Sequence, residues 1–260
     1  MYDVAFIKDT LLAAGNLALE YYLKVTPAWK DDRTYLTDAD LAVQEYVREA
    51  LDRQYPDDGI VAEENGLRKA PKSGVRYWVV DPIDGTASFA AGLPVWGIVI
   101  ALIEGDEPVG GFFYQPVTRD LFYTTPDGQV FRNDRPRHLR EPEAFHRETS
   151  LFIASRLHRY YTLSPDYPGK LRNLASSMAH LAYLATGSAD AALVERVYIW
   201  DIAAGMAMLK LNGGVWQYVN GEAVSLSALL AGQQMPYPML AGRPHMVAAF
   251  QGVIAYNGGE

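Results

Sequence analysis

From Val4 onward the apolar residues Ile7, Leu11, Ala14, Ala18 and Tyr21 recur at the spacing that gathers them on one face of a helix. The polar stretch Lys30-Asp31-Asp32-Arg33-Thr34 after Pro27 reads as a loop, and a second helix is expected from near Asp38 to about Tyr55, capped by Thr37 or Asp38. Then the period changes. Short runs rich in β-branched and aromatic residues, Gly59 to Ala62, Tyr77 to Val80, Trp96 to Ile103, Val109 to Tyr114 and Leu121 to Thr124, are separated by turn residues and predict an antiparallel meander. Beyond the polar connection Glu141 to Thr149, strand and helix patterns alternate. Leu151 to Ala154 and Ala191 to Val194 read as strands. Leu171 to Thr186 reads as a helix stopped by Gly187, and Asp201 to Leu211 as one stopped by Asn212-Gly213-Gly214. The expected organisation is an N-terminal α+β half over residues 1–145 and a C-terminal α/β half over residues 146–260.

Composition supports folding throughout: 49% of the 260 residues are hydrophobic and 21% charged, close to ordinary globular values. With no cysteine, disulfides, thiolate zinc sites and cysteine nucleophiles are excluded. The longest strongly apolar run, Val95 to Ile103, falls far short of the roughly 20 residues that span a bilayer. Met1-Tyr2-Asp3 also lacks the pattern of a signal peptide, so a soluble, cytoplasmic protein without a membrane partner is expected. A net charge of -8 and the absence of a basic block argue against direct nucleic-acid contact. An acidic protein can still handle phosphate if metal cations mediate the contact, which draws attention to clustered carboxylates.

Asp81 and Asp84 flank a Pro-Ile step after the strand Trp78-Val79-Val80, with Gly85 and Thr86 following. Two carboxylates at a strand end offer the hard oxygen ligands magnesium requires, and Gly85 permits close backbone approach to a ligand. If Thr86 opens a helix, its free N–H groups face an anion. The same dipeptides also build plain turns. Glu63-Glu64 ends the preceding expected strand and reads either as a ligand source or as a solvated acidic loop. Asp201 reads as ligand, helix N-cap, or both.

Taken together, these segments resemble the inositol monophosphatase family. Asp81-Pro82-Ile83-Asp84-Gly85-Thr86-Ala87-Ser88-Phe89 is similar to its first signature and Trp200-Asp201-Ile202-Ala203-Ala204-Gly205 to its second. Thr37-Asp38-Ala39-Asp40, Ala62-Glu63-Glu64-Asn65, Gly111 to Pro116 and Ala185 to Asp190 resemble further segments in the right order, so the resemblance covers nearly the whole chain. It implies a five-layer α-β-α-β-α sandwich, a homodimer, two or three Mg²⁺ ions per active site, lithium sensitivity, and hydrolysis of a small phosphate monoester such as inositol monophosphate or another polyol or sugar phosphate. Carried over by residue, it implies that Glu63, Asp81 and the Ile83 carbonyl hold one ion. Asp81, Asp84 and Asp201 would hold a second, with Asp40 near a third. Thr86 and Glu63 would orient the attacking water, while Gly85 and Thr86 supply amides to the phosphate.

The resemblance is weaker where the organic part of the substrate would bind. Val194 stands where inositol-specific members carry a hydroxyl-binding Glu, and Glu195 lies one residue later, which in a regular strand faces the other side. Either a local bulge turns Glu195 inward or that contact is missing. Family members tend to carry Gly-Ser or Gly-Thr before Ala where this chain has Ala175-Ser176-Ser177, whose hydroxyls read as substrate contacts or as helix-start caps. His180, alone on an expected helix, reads as surface or core filler. Histidinol-phosphate, fructose-1,6-bisphosphate and 3'-phosphoadenosine 5'-phosphate phosphatases share the same signatures and stay open as alternatives. So does a regulatory or RNA-associated protein with secondary phosphatase activity.

Overall fold

A computed structural model describes residues 1–30, 34–66, 68–70 and 76–257; Asp31, Asp32 and Arg33 of the expected loop lie outside the described residues. The two N-terminal helices form as the apolar spacing predicts, over Val4–Tyr21 and Asp38–Gln54. Asp3 caps the first by accepting the Phe6 N–H, and Thr37 precedes the second.

An eight-stranded sheet follows, ordered Arg135–Pro136, Val130–Arg132, Asp120–Thr124, Glu107–Gln115, Gly97–Glu104, Arg76–Asp84, Gly59–Ala62, Arg68–Lys69. Its central strands are apolar on both faces, so both faces must be covered. Ile60, Trp78, Val80, Ile98 and Ile100 face the two N-terminal helices through Ile7, Leu11, Val43 and Val47. Their alternate neighbours Val61, Val79, Val99 and Ala101 turn the other way, onto the helices Ser177–Ala185 and Ala203–Leu211. Those two helices also cover one face of a second sheet, ordered Lys170–Arg172, Ser150–Ile153, Ala191–Val194, Met239–Gly242, Val215–Tyr218. Its far face, with Leu151, Leu193 and Leu240, is closed by Met246, Val247 and Phe250 of the helix Pro244–Gln251. The layers therefore run α-β-α-β-α. Among the described residues no helix is long and apolar enough to cross a membrane.

Three expectations are corrected. The meander is antiparallel from Arg76–Asp84 onward, but Gly59–Ala62 pairs with Arg76–Asp84 in parallel. The segment between those strands is long enough to return the chain to the same end of the sheet, so both strands finish side by side. The helix expected from Leu171 starts only at Ser177. Leu171 and Leu174 mimic a helical period, yet Lys170–Arg172 is an edge strand parallel to Ser150–Ile153, and Ala175 at φ 57° breaks the chain before the cap Ser176. The helix expected from Asp201 begins at Ala203, after a single 3-10 turn over Ile199–Asp201.

The Ala203–Leu211 helix lies very close to the first sheet at Gly111. A Cβ on Gly111 would stand 2.2 Å from the carbonyl oxygen of Ala204, a backbone atom that cannot swing aside. Gly111→Ala therefore forces the inner helix layer off the sheet, an overpacking cost of about 1–3 kcal/mol. Urea unfolding should show a correspondingly lower midpoint; an unchanged midpoint would show that the layers are not in contact there.

Candidate active site

Parallel pairing of Gly59–Ala62 with Arg76–Asp84 puts their carboxyl ends together, the edge of a sheet at which ligands commonly bind. The Glu63 N–H continues the ladder to the Val80 carbonyl at 3.2 Å, which sets Glu63 beside Asp81. In a regular strand, residues three apart face opposite sides. Here the register against Gly97–Glu104 slips between Asp81, opposite Val99, and Asp84, opposite Gly97. The extra residue is a β-bulge, and it turns Asp84 to the same side as Asp81. Gly85, at φ 90°, then reverses the chain into the short helix Thr86–Ala90.

Asp201 comes from the 3-10 turn that leads into the Ala203–Leu211 helix. Ligand oxygens of Asp81, Asp84 and Asp201 all lie within 4.8 Å of one another; Asp81 and Asp84 are buried and Asp201 partly so. Each is aimed by hydrogen bonds from the backbone. Asp81 accepts the Ile83 N–H at 3.0 Å, and Asp201 accepts the Tyr198 N–H at 2.6 Å. Asp201 thus closes the 3-10 turn and does not cap the following helix, whose N-cap is Ile202. Asp84 accepts the Met178 N–H at 3.1 Å and the Ser176 hydroxyl, so it sits on the N-terminus of the Ser177–Ala185 helix, where a negative charge is favoured.

Burial raises the Asp81 carboxyl well above its ordinary range, and the charges of Glu63, Asp84 and Asp201 raise it further. Asp84 and Asp201 are pushed up for the same first reason, with Glu63 adding to both. No described Lys or Arg forms an ion pair with Asp81, Asp84 or Asp201. An all-oxygen donor set carrying this much unbalanced charge fits a hard divalent cation.

Asp40 belongs to the first turn of the Asp38–Gln54 helix. Its Oδ2 accepts the Thr37 N–H at 2.7 Å and the Thr37 hydroxyl at 2.6 Å, and burial pushes its pKa up to about 6. Its other oxygen faces the Thr86 hydroxyl at 3.4 Å, which also donates to the Ile83 carbonyl at 3.0 Å. Asp40, Thr86 and the Ile83 carbonyl are therefore one hydrogen-bonded group at the edge of the carboxylate pit.

A cavity of about 520 Å³ opens from this pit, and Glu63, Asp84, Gly85, Thr86, Ser176, Ser177, Glu195 and Asp201 all line it. Ser176 spends its one proton on Asp84 and accepts the Ala179 N–H at 2.9 Å. Glu195 reaches the cavity wall because the Ala191–Val194 strand has already ended, so strand alternation no longer governs it. Val194 is buried apolar wall.

Sequence reasoning missed Lys30, whose ammonium bridges Glu63 at 2.7 Å and Glu64 at 2.5 Å. Burial and repulsion from Glu63 raise Glu64 to about 7, and Lys30 opposes that rise. Glu64 is otherwise fixed through its backbone, which exchanges two hydrogen bonds with the Gln44 amide. Trp29, Tyr35, Arg156 and Arg196 also line the cavity and were not anticipated.

Residues 4–252 match the inositol monophosphatase family. The chain belongs to that family. A fructose-1,6-bisphosphatase/inositol-1-monophosphatase of Aquifex aeolicus is 28% identical over 87% of this chain and 89% of its own length. A histidinol-phosphatase of Chlorobaculum parvum is 30% identical over 82% of this chain and 84% of its own. Among solved structures, the extragenic suppressor protein suhB of Bartonella henselae superimposes with a TM-score of 0.80 at 22% identity, covering 95% of this chain and 96% of that one. The α-β-α-β-α sandwich is thus the inositol monophosphatase fold, and the chain is a phosphatase, a phosphoric monoester hydrolase.

His180 plays no part in the carboxylate group. It stacks on Phe152 at 5.3 Å, and its Nε2 accepts the Leu174 N–H at 2.9 Å, so the ring is neutral. Burial lowers its pKa from the ordinary 6.5 to about 4. The unfolded chain takes up this proton first, so the contribution to stability is whole above pH 6.5 and is lost progressively as pH falls towards 4. In an NMR titration of the folded protein the His180 ring signals should stay at their neutral positions down to about pH 5. A midpoint near 6.5 would contradict the buried, neutral assignment.

Proposed function

We propose that this phosphatase hydrolyses a small phosphate monoester of a polyol or sugar with Mg²⁺ as its cofactor. The observation that carries the reading is the convergence of Asp81, Asp84 and Asp201 to within 4.8 Å at the mouth of a cavity large enough for a small organic ester. Glu63, Asp81 and the Ile83 carbonyl would hold one ion, and Asp81, Asp84 and Asp201 a second, with Asp40 beside a third. When bound, magnesium supplies Lewis acidity and lowers the pKa of a coordinated water.

The chain's own residues do the rest. Thr86, hydrogen-bonded to Asp40 and the Ile83 carbonyl, presents its hydroxyl oxygen to the attacking water, and Glu63 accepts from that water on the other side. The amides of Gly85 and Thr86 receive the phosphate. The Ser177–Ala185 helix, through Ser176 and the Met178 N–H, keeps Asp84 pointed into the pit. No side chain is required as a covalent nucleophile. A homodimer, a cytoplasmic location and inhibition by lithium belong to the same reading and rest on the family resemblance.

Phosphate release from inositol 1-phosphate, fructose 1,6-bisphosphate and histidinol phosphate, with and without lithium, ranks the candidate substrates. Asp84→Asn removes a ligand charge while keeping the shape, and should lower turnover at least about a hundredfold at every magnesium concentration, since several kcal/mol of charge stabilisation are lost. Near-normal turnover of that variant at ordinary magnesium would remove Asp84 from the metal site.

A further inference from the structure

Two arginines stand in the cavity with no role in the reaction derived above. Arg156 and Arg196 each follow a strand of the second sheet, Ser150–Ile153 and Ala191–Val194. Those strands are parallel neighbours, with Ile153 opposite Leu193. Each arginine lies three residues beyond its member of that pair, so the sheet delivers two guanidinium-bearing loops side by side to the same wall. That wall faces the cavity that Asp84 and Thr86 also line.

Among the described residues neither guanidinium forms an ion pair with a carboxylate. Arg48, Arg76, Arg132 and Arg243 all form ion pairs elsewhere in the molecule. Among the described residues, Arg156 has no hydrogen-bond or ion-pair partner for its side chain, and the Arg196 guanidinium has one long contact, 3.4 Å to the Tyr160 hydroxyl. The backbone of Arg196 is nevertheless held in place: its carbonyl accepts from Gln234 at 2.8 Å, and φ is 53°, an unusual conformation for a residue with a side chain. The one acid between them is Glu195. Burial raises its carboxyl above the ordinary range and the charges of Arg196 and Arg156 oppose the rise, so both lie within electrostatic reach of the same side chain. In a protein of net charge -8, two cations outside any ion pair, with a single carboxylate shared between them, leave this cavity wall with net positive charge.

The chemistry of this wall differs from that of a site built for a neutral polyol. A hydroxyl-rich ring is best met by acceptors, yet Val194 is buried apolar wall. Paired guanidiniums instead match phosphate or carboxylate oxygens, which they bind through charge-assisted, often bidentate hydrogen bonds.

We propose that Arg156 and Arg196 form a second anion subsite, so that the preferred ester carries, besides the phosphate to be cleaved, a further phosphate or carboxylate. The inference rests on the phosphatase reading and narrows its substrate class. The cleaved phosphate enters the carboxylate pit, and the second group anchors on the arginine wall and sets which ester bond is presented.

Matched ester pairs test this. Fructose 1,6-bisphosphate against fructose 1-phosphate varies only a second phosphate, and 2-phosphoglycerate against glycerol 2-phosphate exchanges a carboxylate for a neutral hydroxymethyl group. The protein should favour the doubly anionic member of at least one pair by about tenfold or more in kcat/KM. The pair in which this happens identifies the anchor group. That ratio should fall towards one in the Arg156→Ala, Arg196→Ala double variant and recover in part with lysine at both positions. In the unmodified protein it should also shrink as salt is raised, a readout that does not depend on any variant folding. Equal kcat/KM within both pairs, or a preference that survives the double variant, would overturn the subsite while leaving the phosphatase reading intact. No phosphate release from any of the four esters would overturn the subsite as well, and no release from inositol 1-phosphate or histidinol phosphate either would overturn the polyol-ester reading on which it rests.

Discussion

Glu63, Asp81, Asp84 and Asp201 share one pit, and their mutual repulsion is the constraint on which the rest of the structure turns. Burying a single unpaired carboxylate is costly, and burying several together is tolerable only if protons or cations balance them. Among the described residues no lysine or arginine forms an ion pair with the three aspartates, and the nearby Lys30 is bound to Glu63 and Glu64. Instead the fold supplies oriented dipoles: the Ile83 N–H to Asp81, the Met178 N–H and Ser176 hydroxyl to Asp84, and the Tyr198 N–H to Asp201. These bonds fix the aim of each carboxylate without neutralising the group. What remains is a preorganised cluster of carboxylate oxygens suited to a metal cation.

Holding that arrangement requires the first sheet and the inner helix layer together. Asp81 and Asp84 come from the first sheet, the dipoles that aim Asp84 come from the helix layer between the sheets, and Asp201 comes from the turn that starts the other inner helix. The inner helices must therefore sit at a fixed distance from the first sheet, and the contact of Gly111 with Ala204 is where that distance is set. The apolar packing is not separate from the chemistry. It is what keeps the two parts of the pit from drifting apart under their own repulsion.

Much of this was legible in the sequence because it is local. The periodic helices Val4–Tyr21 and Asp38–Gln54, the β-rich runs, and the carboxylates of two short signatures all depend on near neighbours along the chain. What escaped depends on pairing between distant segments. The parallel partner of Gly59–Ala62 decides that Glu63 meets Asp81, and the bulge between Asp81 and Asp84 exists only relative to the facing strand. Lys30 was read as loop because its partners are 33 and 34 positions away. Leu171 and Leu174 imitate a helix that an edge strand and the left-handed Ala175 cut short. Arg156 and Arg196 are exposed, and only the parallel pairing of their two strands brings them to one cavity wall.

The charge of the carboxylate pit calls for a divalent cation to complete it. Thermal unfolding followed against Mg²⁺ concentration tests that requirement without reference to any substrate. A cation that binds only the folded state and relieves the repulsion should raise Tm progressively, by an amount equivalent to about 2.7 kcal/mol at a hundred times its Kd. Asp201→Asn should weaken that dependence while raising Tm in the absence of metal, because one repelling charge is gone. A Tm indifferent to Mg²⁺ in the unmodified protein, or the same dependence in the variant, would contradict the account.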